Sequence, residues 1–212
     1  MPVRTAKAAK RDGAFPDATA FGATVTKALE KEPAGALLLV DLDNLFVVNQ
    51  AGHDKGDAAI GATIKVLKRW AEGGWRPARI GGDEFALFSS GTALEAAFLQ
   101  ADKLRQELDT AIAKELPKGP PCTASVGVAA VPRDARTASE LMRKADLALY
   151  AAKDSGGDTV ALAPGADMVL KSSYYTTSQL GRLKALAERQ KKKESVLLRE
   201  ALDELLRKYD RS

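Results

Sequence analysis

Apolar spacing changes several times along this chain, and each change marks an element. In FGATVTKALEKE the residues Phe21, Val25 and Leu29 recur at helical spacing, which predicts an amphipathic helix. GALLLVDLD is an apolar run behind a turn and predicts a buried strand. AGHDKGDAAIGATIKVLKRWA returns to helical spacing, with Ile60, Ile64 and Leu67 on one face. WRPARI and EFALFSS read as two strands joined at Gly81-Gly82, a dipeptide suited to a tight hairpin because glycine tolerates positive φ. ALEAAFLQADKLRQELDTAIAKEL predicts a long helix, CTASVGVAAV a strand, and TASELMRKADLALYAAKDSG another helix. The order α-β-α-β-β-α-β-α implies an α/β (α+β) domain, a mixed or antiparallel sheet with helices packed on it.

APGAD, Ala163 to Asp167, interrupts this rhythm and predicts a linker over residues 163–169. Beyond it, LKSSYYTT precedes two amphipathic segments. Leu180, Leu183, Leu186 and Ala187 share a face in the first; Leu197, Leu198, Ala201, Leu202, Leu205 and Leu206 share one in the second. A unit of this size over residues 170–212 buries little surface alone, so it is expected to pair with a second copy.

Composition narrows the class. The 212 residues are 45% apolar and 28% charged, as in a soluble globular protein. No apolar run approaches the ~20 residues of a membrane helix, so no membrane partner is expected. Residues 1–19 are basic, lack the apolar core of a secretory signal, and read as a flexible tail. The single Cys122 rules out an internal disulfide and suits a reducing cytoplasm. Net charge is +4, yet Lys171 to Ser212 carries 11 Lys/Arg against 6 Asp/Glu. The basic excess therefore sits in the tail, as an anionic partner would favour.

Two acidic clusters carry the candidate chemistry. LLLVDLDN places Asp41 and Asp43 at the end of a buried strand, where paired carboxylates are costly without a neutralising cation. If the hairpin pairs beside that strand, Asp83 and Glu84 arrive next to Asp41. Converging hard oxygens suit Mg²⁺ and leave room for water and phosphate, as phosphoryl or nucleotidyl transfer requires. Each cluster alone also fits a solvated strand end and an ordinary turn; the combination points to chemistry.

RIGGDEFALF resembles the signature of the GGDEF family, diguanylate cyclases that condense two GTP into cyclic di-GMP with release of pyrophosphate. The resemblance continues through DLDNLFVVNQAGHDKGDAAI, TASVGVA and ADLALYAAKDSG, and covers about Ala20 to Leu162. It implies a palm-like mixed sheet with flanking helices and Mg²⁺ or Mn²⁺, two per active site. It makes Asp41, Asp83 and Glu84 catalytic, with the Leu42 carbonyl joining them as metal ligands. Glu84 would bind metal or help deprotonate the attacking 3′-hydroxyl. Asn49 and Asp57 would read the guanine edge, Lys153 would hold the β/γ-phosphates, and Gly81, Gly82 and Phe46 would line the substrate site. A carboxylate accepts from guanine N1–H and its amine, so Asp57 favours GTP over ATP. His53 is read as support for the turn and helix start.

The chain also departs from that pattern. Leu45-Phe46 stands where the family has Phe-Lys, and one residue is missing between Asn49 and Gly52. SGGD replaces the family's S-G-R-N, so Gly157 stands where an arginine would grip the triphosphate and Asp158 follows; weaker GTP binding is expected. GAFPDAT replaces the usual L-T-G-L-x-N-R entry. Glu72 and Trp75 occupy the positions of the product-inhibition motif R-x-x-D, so feedback inhibition is not expected at that surface.

YYTTSQLGRLKALAERQKKKESVLLREALDELLRKYD resembles a ribbon–helix–helix domain of the CopG/Arc kind, a small β-α-α unit that dimerises and reads duplex DNA. The resemblance makes Ser172 and Tyr174 base-facing and assigns phosphate contacts to Lys191, Lys192, Lys193 and Ser195. A helical hairpin that only dimerises fits the same pattern. Two readings of the whole stand: a cytoplasmic cyclase with a DNA-binding tail, or a transcription regulator whose GGDEF domain senses GTP or cyclic di-GMP without turnover.

Overall fold

The computed structural model describes residues 15–163, 173–190, 192 and 194–209. The chain divides into two compact units, Met1–Met168 and Val169–Ser212. Most of the expected tail over 1–19 and linker over 163–169, with Ser172, Lys191 and Lys193, lies outside the described residues.

In the first unit, helix α1 (Ala18–Lys31) starts at Asp17, whose side chain accepts the Ala20 N–H at 3.0 Å. Strand β1 (Gly35–Leu42) follows, then the short helix α2 (Leu45–Gln50) and helix α3 (His53–Glu72). β2 (Arg76–Arg79) and β3 (Glu84–Ser90) form a hairpin; α4 (Leu94–Glu115), β4 (Ala124–Val131), α5 (Ala138–Asp154) and β5 (Val160–Leu162) complete the unit. The sheet runs β2-β3-β1-β4-β5, with β5 parallel to β4 and every other pair antiparallel. This is the mixed, helix-flanked sheet that the apolar pattern predicts, with two elements added.

Both additions have local causes. Helix α2 lies ahead of the helix expected from Ala51 onward, and Gly52 at φ +146° separates it from α3. Gly56 keeps the pieces together, because a Cβ there would overlap Asn49 Oδ1. β5 has only three residues, too few for a period to register.

Strand alternation divides the core. Leu38, Val40 and Leu42 of β1 join Phe85, Leu87, Val126 and Val128 under α3 and α4. Leu37 and Leu39 join Ala86, Phe88 and Ala129 under α1 and α5, against Phe21, Val25, Leu141 and Ala145. Gly127 lies on the α5 side. A Cβ there would overlap the Ala145 carbonyl and Leu149 N and come within 2.8 Å of Leu149 Cα. The missing side chain sets how closely α5 lies on the sheet.

At the far end of β4, α4 is tied down by charge. Arg105 bonds Asp102 Oδ1 at 3.1 Å, Asp109 Oδ2 at 2.8 Å and the Asp158 carboxylate. Asp109 Oδ1 also accepts the Ala124 N–H at 3.1 Å, so it anchors the start of β4. Burial and the adjacent Asp158 carboxylate push Asp109 up to about 6.

In the second unit, Thr176 and Gln179 form a reciprocal cap for α6 (Thr177–Gln190): Gln179 N–H donates to Thr176 Oγ1 at 3.2 Å and Thr176 N–H to Gln179 Oε1 at 2.9 Å. Helix α7 (Glu194–Tyr209) follows, and Lys192 Nζ reaches Glu200 Oε1 at 2.7 Å. The expected strand is not formed by residues 173–176. A ribbon strand finds its partner only in a second chain, so a lone chain leaves such a segment unpaired. Among the described residues, no helix is long and apolar enough to cross a membrane.

Replacing Gly127 by alanine should force α5 off the sheet and lower stability by about 3 kcal/mol, measured by urea unfolding. A second expectation concerns acid. An acid whose folded-state pKa exceeds its unfolded value stabilises the fold while protonated, and that stability disappears as pH rises through the window. For Asp109 the window runs from about 4, the unfolded carboxylate value, to about 6. The unfolding free energy of Asp109→Asn relative to wild type should therefore climb between these pH values and level off above them. A flat difference would mean that Asp109 ionises normally.

Candidate active site

The acidic corner follows from strand register. In the β1–β3 ladder Asp41 is the Cα partner of Glu84, and in the β1–β4 ladder it faces Ser125. Asp41 has the parity of Leu37 and Leu39, and Glu84 that of Ala86 and Phe88. Both carboxylates therefore fall on the α5 face of the sheet. Leu42 N–H donates to the Asp83 carbonyl at 3.3 Å, which holds the turn against the end of β1.

Asp41 is only 8% exposed, and its Oδ1 receives no directed hydrogen bond. The Lys153 ammonium of α5 forms an ion pair with that oxygen. Burial raises the Asp41 pKa, Lys153 opposes the shift, and the charges of Asp83 and Asp43 add to it. Burial also raises Glu84, reinforced by Asp41, Asp83 and Asp146. The corner thus holds a surplus of negative charge with one lysine against it.

The turn departs from the expected hairpin. Residues 80–83 link β2 to β3, and neither Gly81 nor Gly82 has a positive φ. Space is tight at Gly81: a Cβ there would lie 2.8 Å from Glu84 Oε2 and 3.2 Å from Glu84 Cβ, so the Glu84 side chain would have to shift. A Cβ on Gly82 would meet nothing within 4 Å, so that side of the turn is open to a ligand. Gly81 N–H is turned inward, donating to the Glu84 carbonyl at 3.2 Å, and Arg79 donates to the Gly82 carbonyl at 2.6 Å.

The expected metal ligands are Asp41, the Leu42 carbonyl, Asp83 and Glu84. Among the described residues no three acidic, histidine or cysteine side chains converge closely enough to grip an ion as they stand. Lys153 holds Asp41, and the Glu84 carboxylate packs along Gly81. The donor set suits a divalent cation: hard oxygens, one buried and short of a directed hydrogen bond, in a corner where acidic groups outnumber the single lysine charge that reaches them.

Asp43 is spent elsewhere. Its carboxylate accepts from Ser125 Oγ at 2.9 Å, Thr123 Oγ1 at 3.1 Å and the Asp158 N–H at 2.9 Å. It pins the loop after α5 to the sheet. Gly157 sits in this loop at φ +77°, where a Cβ would lie 3.1 Å from Asp43 Oδ2. A side chain, arginine included, would be strained at this φ. Asp158, also at positive φ, is held by Arg105. Pattern reading did not reach the pairing of Arg105 with Asp158 or the binding of Asp43, because those partners lie 53 to 115 positions apart.

The other expected site residues lie on α2 and the first turns of α3. Asn49 is half-buried against Gly56, and Asp57 and His53 are exposed on the first turns of α3. Phe46 is 73% exposed on α2. Away from the corner, at the opposite end of β2, a cavity of about 350 Å³ lies among Arg69, Trp70, Trp75, Gln100, Lys103 and Glu107. Trp75 is buried there and donates to Gln100 Oε1 at 2.9 Å; Trp70 donates to Glu107 Oε2 at 3.0 Å. Trp75 thus fills space where the inhibition motif would place a charge. In the tail, Tyr174 is fully exposed, Ser195 is half-buried at the start of α7, and Lys192 is paired with Glu200.

Comparison with known proteins places this geometry. Residues 18–159 match the family described as diguanylate cyclase, GGDEF domain. Over 123 residues, 57% of this chain and 32% of the relative, the chain is 37% identical to the probable diguanylate cyclase DgcC of Escherichia coli K12. It is 29% identical over 140 residues to diguanylate cyclase A of Treponema denticola, covering 66% of this chain and 38% of that one. The chain thus spans about a third of the length of these curated relatives. The coiled-coil and GGDEF domain of DgcB from Caulobacter crescentus, solved with c-di-GMP, superposes with a TM-score of 0.64 at 26% identity, covering 72% of this chain and 84% of that structure. The signature turn, the strand that pairs with it and the match across residues 18–159 lead to one conclusion: this chain belongs to the GGDEF-domain family.

Proposed function

We propose that the protein is a diguanylate cyclase that condenses two GTP into cyclic di-GMP and releases pyrophosphate. The pairing of Asp41 with Glu84 at the edge of an open glycine turn carries this reading. Asp41, Asp83, Glu84 and the Leu42 carbonyl would hold Mg²⁺ or Mn²⁺, two per site. Such ions, when bound, acidify the 3′-hydroxyl and neutralise charge on the phosphates. Glu84, whose pKa is raised by burial and its acidic neighbours, is suited to take the hydroxyl proton. Asn49 and Asp57 read guanine from α2 and α3, and Gly82 leaves space for the triphosphate. Lys153 serves the outer phosphates, while Phe46 offers an exposed ring beside them in place of a lysine. A GTP-consuming enzyme of this kind would work in the cytoplasm.

The tail supplies the second half of the reaction. Each domain binds one GTP, so two must face each other. Leu180, Leu202, Leu205 and Leu206 are 45–54% exposed in a unit that buries little else, and a second copy is their natural cover. Tail pairing would raise the local concentration of catalytic domains without an external signal. The basic excess and the capped helices support a ribbon–helix–helix contact with duplex DNA through Ser172, Tyr174, Lys191, Lys192, Lys193 and Ser195. A regulator without turnover is favoured by one observation: Gly157, at a φ that strains any side chain, stands where the family's phosphate-gripping arginine would be.

Purified protein given GTP and Mg²⁺ should yield cyclic di-GMP by mass spectrometry, and Glu84→Gln should cut the rate at least ~100-fold. GTP binding without product would favour the regulator. Replacing Leu202 and Leu206 together by Asp should convert a dimer to a monomer in sedimentation velocity and abolish salt-dependent retention of duplex DNA.

A further inference from the structure

Lys153 is the penultimate residue of α5, and its side chain is 41% exposed, so the head of this flexible stem can move. In the structure its ammonium pairs with Asp41 Oδ1, the buried oxygen that lacks a directed hydrogen bond. Its charge also reaches Glu84, where Asp41, Asp83 and Asp146 act in the opposite sense. One mobile cation therefore serves the whole corner, and it sits on the atom a divalent ion would require. An ion coordinated at about 2.1 Å cannot share that oxygen with an ammonium at ion-pair distance without strong repulsion.

We propose that Lys153 is a tethered counter-ion that competes with a divalent cation for Asp41 and is released to the nucleotide's phosphates only when that cation binds. The inference rests on the nucleotide reading above and goes beyond it: cation and triphosphate bind cooperatively, with Lys153 as the coupling element. A cation arriving alone must displace the ammonium into water. Arriving with a triphosphate, it displaces the ammonium onto a polyanion. By reciprocity, nucleotide tightens the cation by the factor with which the cation tightens nucleotide.

The test titrates full-length protein with Mn²⁺ by electron paramagnetic resonance, with and without a non-hydrolysable GTP analogue. In wild type the analogue should tighten Mn²⁺ about tenfold or more. In Lys153→Met, Mn²⁺ alone should bind several-fold tighter than in wild type, and the analogue's effect should shrink by the same factor, leaving the direct attraction between cation and phosphates. Lys153→Arg keeps the charge and should keep Mn²⁺ weak. Lys153→Gln repeats the neutral arm should the Met variant prove poorly folded by thermal melting. If neutral variants bind Mn²⁺ alone no better than wild type, the proposal is overturned, even when cyclic di-GMP is made. Tighter Mn²⁺ without any product would sustain the counter-ion and defeat the cyclase.

Discussion

The structure depends on one register. β1 and β3 run antiparallel so that Asp41 lies opposite Glu84, and strand alternation turns both to the face covered by α5. Side-chain direction has a period of two, so a slip of one residue would turn Asp41 into the α3–α4 core and put Leu42 in its place. The apolar residues fix the register: Leu38 and Val40 on one side and Leu37 and Leu39 on the other are almost fully buried. The hydrophobic layers thus align the polar corner.

Two aspartates only two positions apart meet different fates because β1 ends between them. Asp41 is on the strand, buried, and left with a mobile ammonium; Asp43 lies beyond it and is satisfied by two hydroxyls and a backbone N–H. The first can accept a new ligand without breaking the fold. The second holds the loop in which Gly157 and Asp158 adopt positive φ.

Much of this was legible in the sequence. Runs such as LLLV, FALF and SVGVAAV exposed the central strands, and the spaced acids beside a glycine turn pointed to the corner. Three features were not legible. Gly81 gives close approach to Glu84 and not the positive φ its residue type suggested. The short helix α2 is hidden because its six residues are too few for a helical period to register. Long-range polar pairs such as Arg105 with Asp158 leave no periodic trace, since charge complementarity has no spacing rule. The tail is a different case: its helices follow from leucine spacing, but any ribbon strand needs a second chain.

The placement of the aromatic rings has a practical corollary. Both indoles of the chain, Trp70 and Trp75, stand 6.0 Å apart beside α4, and the tail has none. Intrinsic emission excited at long wavelength therefore reports the catalytic unit by itself. Melting of α6 and α7 would pass unseen in that channel and show only as lost ellipticity, so the two optical signals can separate the unfolding of the two halves without a label.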